Sequence, residues 1–355
     1  MTKPFVSVLI DTYNHERFIA EAVNSVLAQD FPASQREVLV VDDGSTDSTP
    51  EILRKYEPQI RFLRKANGGQ ASAFNFGSAQ CTGEIVSFLD GDDWWAPDKL
   101  TRVVGAMTAD PAIGIVGHGI INVNRDGSEM VETLREGFRF QANSMDGARL
   151  LRRRGAFLGT SRMTIRASLL RQIGPVPEGI EIQADEYLFT LASVLAVAQI
   201  LPDALTFYRL HDANLFQLSG RDPEKLRHKQ KALTVLTNSL LQRLAALGIA
   251  PDVCRTVTEY TQASADQLRL QLDGGWPWET VAAEWHAYST VHTDASFSHR
   301  LFKLTTLLGA LVMPPRVFYK VQRALAQNSF YRRARQRVLP VPEMRHLERD
   351  KRPKP

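Results

Sequence analysis

Three carboxylates stand within four residues in Asp90-Gly91-Asp92-Asp93, at the end of the apolar run Ile85-Val86-Ser87-Phe88-Leu89. Side chains two apart on an extended segment point the same way, so Asp90 and Asp92 can converge on one object while Asp93 points elsewhere. Carboxylates this close repel one another unless a cation sits among them, and hard divalent ions prefer oxygen ligands. An ion held by one or two carboxylates together with substrate phosphates is one chemistry such a cluster serves. The plainer reading of the same residues is a solvated acidic turn before a helix near Pro97.

Polar residues recur at comparable places. Asp11-Thr12-Tyr13-Asn14 closes the run Phe5 to Ile10, Asp42-Asp43-Gly44-Ser45 closes Val38 to Val41, and Asn67-Gly68-Gly69 follows Ile60 to Leu63. Asp185 and Glu186 open a helical pattern, and Tyr208-Arg209-Leu210-His211 ends an alternating run. Acids in a first turn also simply complement the helix dipole. A lone histidine at a strand end can equally be a satisfied structural residue, and both readings stay open for Asp185 and His211.

The elements around these residues alternate. Four apolar runs (Phe5 to Ile10, Val38 to Val41, Ile60 to Leu63, Ile85 to Leu89) read as strands. Helical patterns separate them: Arg17 to about Gln29, one opened by Ser48-Thr49-Pro50-Glu51 with capping-box spacing, and Ala71 to about Gln80. Alternation of this kind predicts a doubly wound, mainly parallel sheet whose strand ends line one edge. Thr12, Asp43, Asn67 and Asp90 would gather there, where open α/β sheets bind ligands. Neither a Gly-x-Gly-x-x-Gly fingerprint nor a Gly-Lys-Ser/Thr phosphate loop follows a strand, which excludes the usual dinucleotide and P-loop sites. Further on come a helix from Pro97 to about Thr108, a strand over Ile113 to Val123, and an irregular stretch over 124–156 with no assignable pattern. Then follow a strand at Met163 to Arg166, a helix to Ile173, a helix from about Asp185 to Ala198, and a strand over Leu205 to His211. Helical patterns at Glu224 to Leu247 and Asp252 to Leu272 place a boundary near Ser219-Gly220.

Ser7-Val8-Leu9-Ile10-Asp11-Thr12-Tyr13-Asn14, Val41-Asp42-Asp43-Gly44-Ser45-Thr46-Asp47, Asn67-Gly68-Gly69 and Phe88-Leu89-Asp90-Gly91-Asp92-Asp93 together resemble the family 2 glycosyltransferases. The resemblance implies a GT-A fold and metal-dependent, inverting transfer of a sugar from a nucleotide diphosphate, by default UDP, to a hydroxyl of a glycan or lipid-linked acceptor. Thr12, Tyr13, Asn14, Asp43 and Asn67 would bind the nucleotide, with Asp43 accepting from the base and Asp42 bracing the turn. Asp90 would face the ribose or metal, and Asp92, with His211, would hold Mn²⁺ or Mg²⁺. Arg209 would contact phosphate, Asp93 would stand behind, and Asp185 would be the general base, with Glu186 as its competitor. Where this chain has Asp11 the family usually has Pro. Trp94 and Trp95 could stack on a sugar, core packing being the simpler role. A sugar nucleotidyltransferase would need a Gly-rich, Arg-containing loop after the first strand, which Thr12-Tyr13-Asn14-His15 does not supply. A non-catalytic, membrane-docking scaffold is the alternative from another class.

Of 355 residues, 44% are hydrophobic and 23% charged, ordinary for a folded chain. The net charge of +4 is uneven: from Leu301 onward there are 13 Lys/Arg against 3 Asp/Glu, and 30 against 36 before it. The expected division is a catalytic domain over 1–219, with its nucleotide-sugar half at about 1–100 and acceptor half at about 101–219, a helical region over 220–300, and a basic amphipathic segment over 301–355. The stretch 304–337 suits a helix lying on an anionic membrane face, or alternatively a packed helical subdomain. No recognised module accompanies the charge, so nucleic acid is not expected as a partner. Two distant cysteines, no visible signal peptide and no run of 18 apolar residues fit a cytoplasmic protein, peripheral at most on the cytoplasmic membrane face.

Overall fold

The computed structural model describes residues 5–211, 222–292, 296–327 and 344–349. The boundary expected near Ser219-Gly220 and the Arg332–Arg337 cluster lie outside them. The chain divides into two compact units, 1–217 with 343–355, and 218–342.

The first unit opens with β1 (Val6–Thr12), α1 (Ile19–Leu27), β2 (Arg36–Asp42), α2 (Thr49–Arg54), β3 (Arg61–Arg64), α3 (Gly69–Ser78) and β4 (Ile85–Asp90). The strands stand in the order β3-β2-β1-β4, all parallel, with Asp11 of β1 in register with Asp90 of β4. Val8, Leu9, Ile10, Leu39, Val40, Ile85, Phe88 and Leu89 are fully out of solvent, because strands covered on both faces need continuous apolar runs. Edge strand β3 is the exception: Arg61 and Arg64 are exposed, and charges there block pairing with another sheet.

The order then reverses. β5 (Trp94–Trp95), α4 (Lys99–Ala109), β6 (Ile113–Val123), β7 (Glu129–Leu134), β8 (Phe138–Phe140), α5 (Met145–Arg154), β9 (Thr164–Arg166), α6 (Ala167–Ile173), α7 (Ala184–Leu195) and β10 (Val197–Arg209) follow. β9 pairs antiparallel with both β4 and β6, so the sheet is mixed on this side. The capping box expected at Ser48 does not form; Asp47 accepts from the Thr49 and Glu16 amides instead.

The stretch 124–156 is structured after all. Its β6–β7 turn is closed by Asn124 N donating to Ser128 O at 2.9 Å, with Gly127 at φ 78°. β10 begins at Val197, where a helix was expected to continue to Ala198, because Ala196 is already extended (φ −142°, ψ 170°). Pro202 sits where the β6–β10 register shifts between Ile200 and Ala204, the kind of irregularity in which a strand tolerates a residue with no N–H. β11 (Met344–Arg349) pairs antiparallel with β7 and belongs to the first unit, so the basic segment expected as one piece over 301–355 is divided between units.

The second unit holds α8 (Pro223–Ala246), α9 (Pro251–Asp273), α10 (Pro277–Val291), α11 (Phe297–Val312) and α12 (Pro315–Gln327). Pro at the first helical position opens α8, α9 and α10, where a missing N–H costs nothing. Leu233, Leu236, Leu240 and Leu244 of α8 are buried along one helical face, as are Val253 and Val257 of α9. No described helix is long and apolar enough to cross a membrane.

Candidate active site

The polar ends of β1, β2 and β4 are tied to one another before any ligand is considered. Asp43 N donates to Thr12 O at 2.9 Å and Gly91 N to Asp11 O at 2.8 Å, joining three strand ends through main chain. Asn14 sits at φ 56°, a left-handed conformation that Asn tolerates, and its Oδ1 accepts from Thr46 N at 2.8 Å. That contact locks the turn after β1 to the one after β2 and leaves Tyr13 44% exposed at the rim. Gly91 has to be glycine: a Cβ there would come within 2.6 Å of Thr12 Oγ1.

Asp43 is satisfied within the fold. It takes Lys65 Nζ at 2.6 Å and the amides of Gly68 (3.1 Å) and Gly69 (2.7 Å), while Asn67 Nδ2 donates to its carbonyl at 3.0 Å. Gly69, at φ 82°, lets the chain turn into α3 with both amides facing the carboxylate. Asp42 braces the turn, accepting from Ser45 N at 2.9 Å and pairing with Arg64 Nε at 3.1 Å.

One residue past the glycines, Gln70 spans the site. Its amide nitrogen stands 3.4 Å from both Asp90 Oδ1 and Thr160 Oγ1, and its oxygen accepts from Ala184 N at 3.2 Å. Thr160 N in turn donates to Asp185 Oδ2 at 3.1 Å. A continuous chain of contacts therefore runs from Asp43 through the glycine turn and Gln70 to Asp90 and Asp185. Ser161 Oγ adds a second link, donating to Asp93 Oδ2 at 2.6 Å and accepting from Asp90 N at 3.1 Å.

Asp92 faces two imidazoles. His211 Nε2 is 2.9 Å from its Oδ2 and His15 Nε2 is 3.8 Å from the same atom. Burial pushes Asp92 upward, yet the His211 hydrogen bond and the charges of His15 and His211 hold it below its ordinary value. Asp11 and Asp90, side by side on β1 and β4, go the other way. Burial and then the charge of Asp92 push Asp11 up to about 8, and burial together with Asp11 and Asp92 raises Asp90 well above the carboxylate range. Asp11 Oδ1 is out of solvent with no hydrogen-bond partner.

Arg209, the residue expected to contact phosphate, is held against the Asp92–Asp93 turn. Its guanidinium lies 4.8 Å from the Phe18 ring and 4.4 Å from the Trp94 ring, pairs with Glu21, and donates from Nε to Asp92 O at 3.1 Å. Its main-chain N donates to Asp93 Oδ1 at 3.1 Å, so β10 is what fixes the Asp92–Asp93 turn. Trp94 stacks on Phe207 at 5.0 Å, and Trp95 is buried with its Nε1 on Ser161 O, which makes both packing residues.

Asp185 and Glu186 separate cleanly. Glu186 is buried and bound by Arg152 Nη1 at 3.0 Å and Gln183 Nε2 at 3.2 Å. Asp185 accepts the Thr160 and Glu186 amides, and burial raises its carboxyl. Sequence reasoning missed Gln70, Thr160, Ser161 and His15. His15 and Gln70 each directly follow a quoted turn, and that adjacency was the signal; nothing local marks 160–161.

Asp92 and His211 could offer a carboxylate oxygen and an imidazole nitrogen to an ion, in place of the hydrogen bond that joins them at 2.9 Å. Among the described residues no three His, Cys, Asp or Glu side chains are grouped to hold an ion unaided, so the remaining positions would fall to phosphate oxygens and water.

This mixed sheet, with carboxylates and imidazoles gathered at the ends of its parallel strands, is a GT-A-type transferase fold. Residues 7–174 match the glycosyl transferase family 2 model. An uncharacterized glycosyltransferase of Nostoc sp. is 32% identical over 293 residues, covering 77% of this chain and 89% of that protein. One of Rickettsia felis is 30% identical over 246 residues, 68% of this chain and 39% of that protein. Residues 1–349 of S. aureus TarS, solved in complex with UDP-GlcNAc, share the fold with a TM-score of 0.58 at 20% identity, covering 90% of this chain and 92% of that one. The chain belongs to glycosyl transferase family 2 and is a glycosyltransferase.

Proposed function

We propose that the enzyme moves a sugar from a UDP-sugar to an acceptor hydroxyl, on a glycan or lipid-linked acceptor, with inversion at the anomeric carbon. The observation that carries this reading is the continuous network from Asp43 through Gln70 to Asp90 and Asp185, beside the Asp92–His211 pair. Tyr13, exposed at the rim, stacks on the base, while Thr12, Asn14 and Asn67 line the nucleoside. Asp43 acts through the glycine turn it orders and keeps limited accepting capacity for the base. Arg209 holds the Asp92 main chain and adds positive charge next to the diphosphate. A Mn²⁺ or Mg²⁺ on Asp92 and His211 would supply Lewis-acid stabilisation of the leaving diphosphate.

In the transfer the acceptor oxygen bonds to the anomeric carbon, the bond from that carbon to the phosphate oxygen breaks, and UDP departs. The hydroxyl proton goes to the Asp185 carboxylate, which the Thr160 and Glu186 amides hold in place and which burial makes more basic. UDP-GlcNAc is the first donor to try, since TarS was solved with it.

The test is a thermal-shift series with UDP-sugars, with and without Mn²⁺. A UDP-sugar should raise the apparent stability only when Mn²⁺ is present, and Asp92→Asn should remove that metal-dependent rise. Equal shifts with and without the ion, or an unaltered Asp92→Asn response, would overturn the assignment.

A further inference from the structure

Helix α11 has two apolar faces and the second unit covers one of them. Leu307 and Ala310 are buried, and Ala310 packs in a cluster with Leu270, Phe318 and Tyr319. Phe297, Leu301, Leu304, Leu308 and Leu311 recur at the spacing of a single helical stripe and are 81%, 48%, 46%, 60% and 51% exposed. At ~100° per residue the stripe lies about a quarter-turn or more from the buried face. Single exposed leucines are ordinary, but five in register on one helix form a patch that calls for a partner.

Helix α12 repeats the pattern. Phe318 and Tyr319 point inward, while Val317, Val321 and Leu325 stay exposed, with exposed Arg316 and Lys320 alongside. The charge carried by α11 and α12 themselves has one sign: residues 296–327 contain five Lys/Arg and no Asp or Glu, with Lys303 paired to Glu284 of α10. A second copy of this chain would set these two basic helices against one another, an unfavourable like-charge contact. Neither helix is long and apolar enough to span a bilayer. Apolar stripes bordered by bases on short helices match an anionic interface, where the stripe enters the acyl boundary and the bases meet lipid phosphates.

We propose that α11 and α12 form an in-plane docking face for an anionic phospholipid membrane. The face lies in the second unit, so the proposal stands independently of the catalytic reading. It is tested by sedimenting the full chain with vesicles of phosphatidylcholine alone and of phosphatidylcholine mixed three to one with phosphatidylglycerol. Binding should require the anionic lipid and weaken on the order of tenfold in high salt. The paired changes Leu304→Glu with Leu308→Glu, and separately Arg316→Glu with Lys320→Glu, should each lower vesicle affinity by on the order of tenfold or more. Turnover with a soluble acceptor should stay unchanged in both. If the leucine variant loses helical circular dichroism, the charge-reversal variant decides alone. Equal binding to neutral vesicles, no binding to anionic ones, or unaltered binding by the folded variants overturns the proposal. So does a chain that ignores vesicles but forms dimers dissolved by Leu308→Glu.

Discussion

On the proposed mechanism, replacing Asp185 by Asn removes the base and little else. The carboxylate accepts two amides, Thr160 N at 3.1 Å and Glu186 N at 2.9 Å. An amide side chain keeps one accepting oxygen and turns an NH₂ toward the other donor, so one hydrogen bond worth about 0.5–1.5 kcal/mol is lost. Against that, a charge that burial disfavours disappears, since desolvation is what raises this carboxyl. The two effects oppose each other, and the folded state should shift by no more than about 1 kcal/mol. Catalysis has no such offset, because an amide cannot take the acceptor proton. A positioned base contributes about 10²–10⁴-fold, or roughly 2.7–5.5 kcal/mol of barrier. Asp92 and His211 are untouched, so Mn²⁺-dependent UDP-sugar affinity should be unchanged. Initial rates of UDP release with acceptor present, paired with donor titration, measure both quantities. The same assay in the wild type should show activity falling on the acid side, with the limb above the ordinary carboxylate range, because the base must be ionised and its folded value is raised. A variant within threefold of wild-type turnover, or one that loses donor binding while keeping turnover, refutes the assignment.

Arg152 and Glu186 form an ion pair only 5% and 9% exposed, so Arg152→Met strands a buried carboxylate and should cost about 3–5 kcal/mol in urea unfolding. The double variant with Glu186→Gln should recover much of that; a single-variant loss below about 1 kcal/mol rules out a tight buried pair. At Asp11 the folded carboxyl is raised from 3.8 to about 8, so the native state holds a proton there that the unfolded chain has released, and stability drains away as pH climbs through that window. Asp11→Asn mimics the protonated form: in metal-free buffer its stability relative to wild type should be near zero at pH 4 and grow to about 1–3 kcal/mol by pH 8. A constant difference across that range, followed by thermal melts, would show that Asp11 is ionised in the fold.

The amino-acid sequence by itself determined the parallel half of this protein. The runs Val6–Ile10, Val38–Val41 and Ile85–Leu89 are largely apolar because both sheet faces are covered, and each is followed by polar residues at one edge. Local signals also placed α8 and α9, whose apolar residues repeat with the helical period, and singled out the clustered Asp90 and Asp92, while His211 and Asp185 were pointed to by the family resemblance. The antiparallel half was less legible. β7 and β8 are short and half-exposed and carry no clear periodicity, and β10 is interrupted by Pro202 at a register shift, so only its second part, from Leu205, reads as a strand.

What surrounds each acid was decided only by the tertiary structure. Asp185 and Glu186 are adjacent in the helix, and no local rule separates them; Arg152, 34 residues upstream, claims Glu186 and leaves Asp185 facing Thr160. The placing of Arg209 is likewise tertiary: Phe18, Trp94 and Glu21 converge on it from elsewhere in the chain. The protonation of Asp11 follows from its burial and from the charge of Asp92, 81 positions further along the chain. Electrostatic roles depend on distance and burial, and those quantities exist only once the chain has folded.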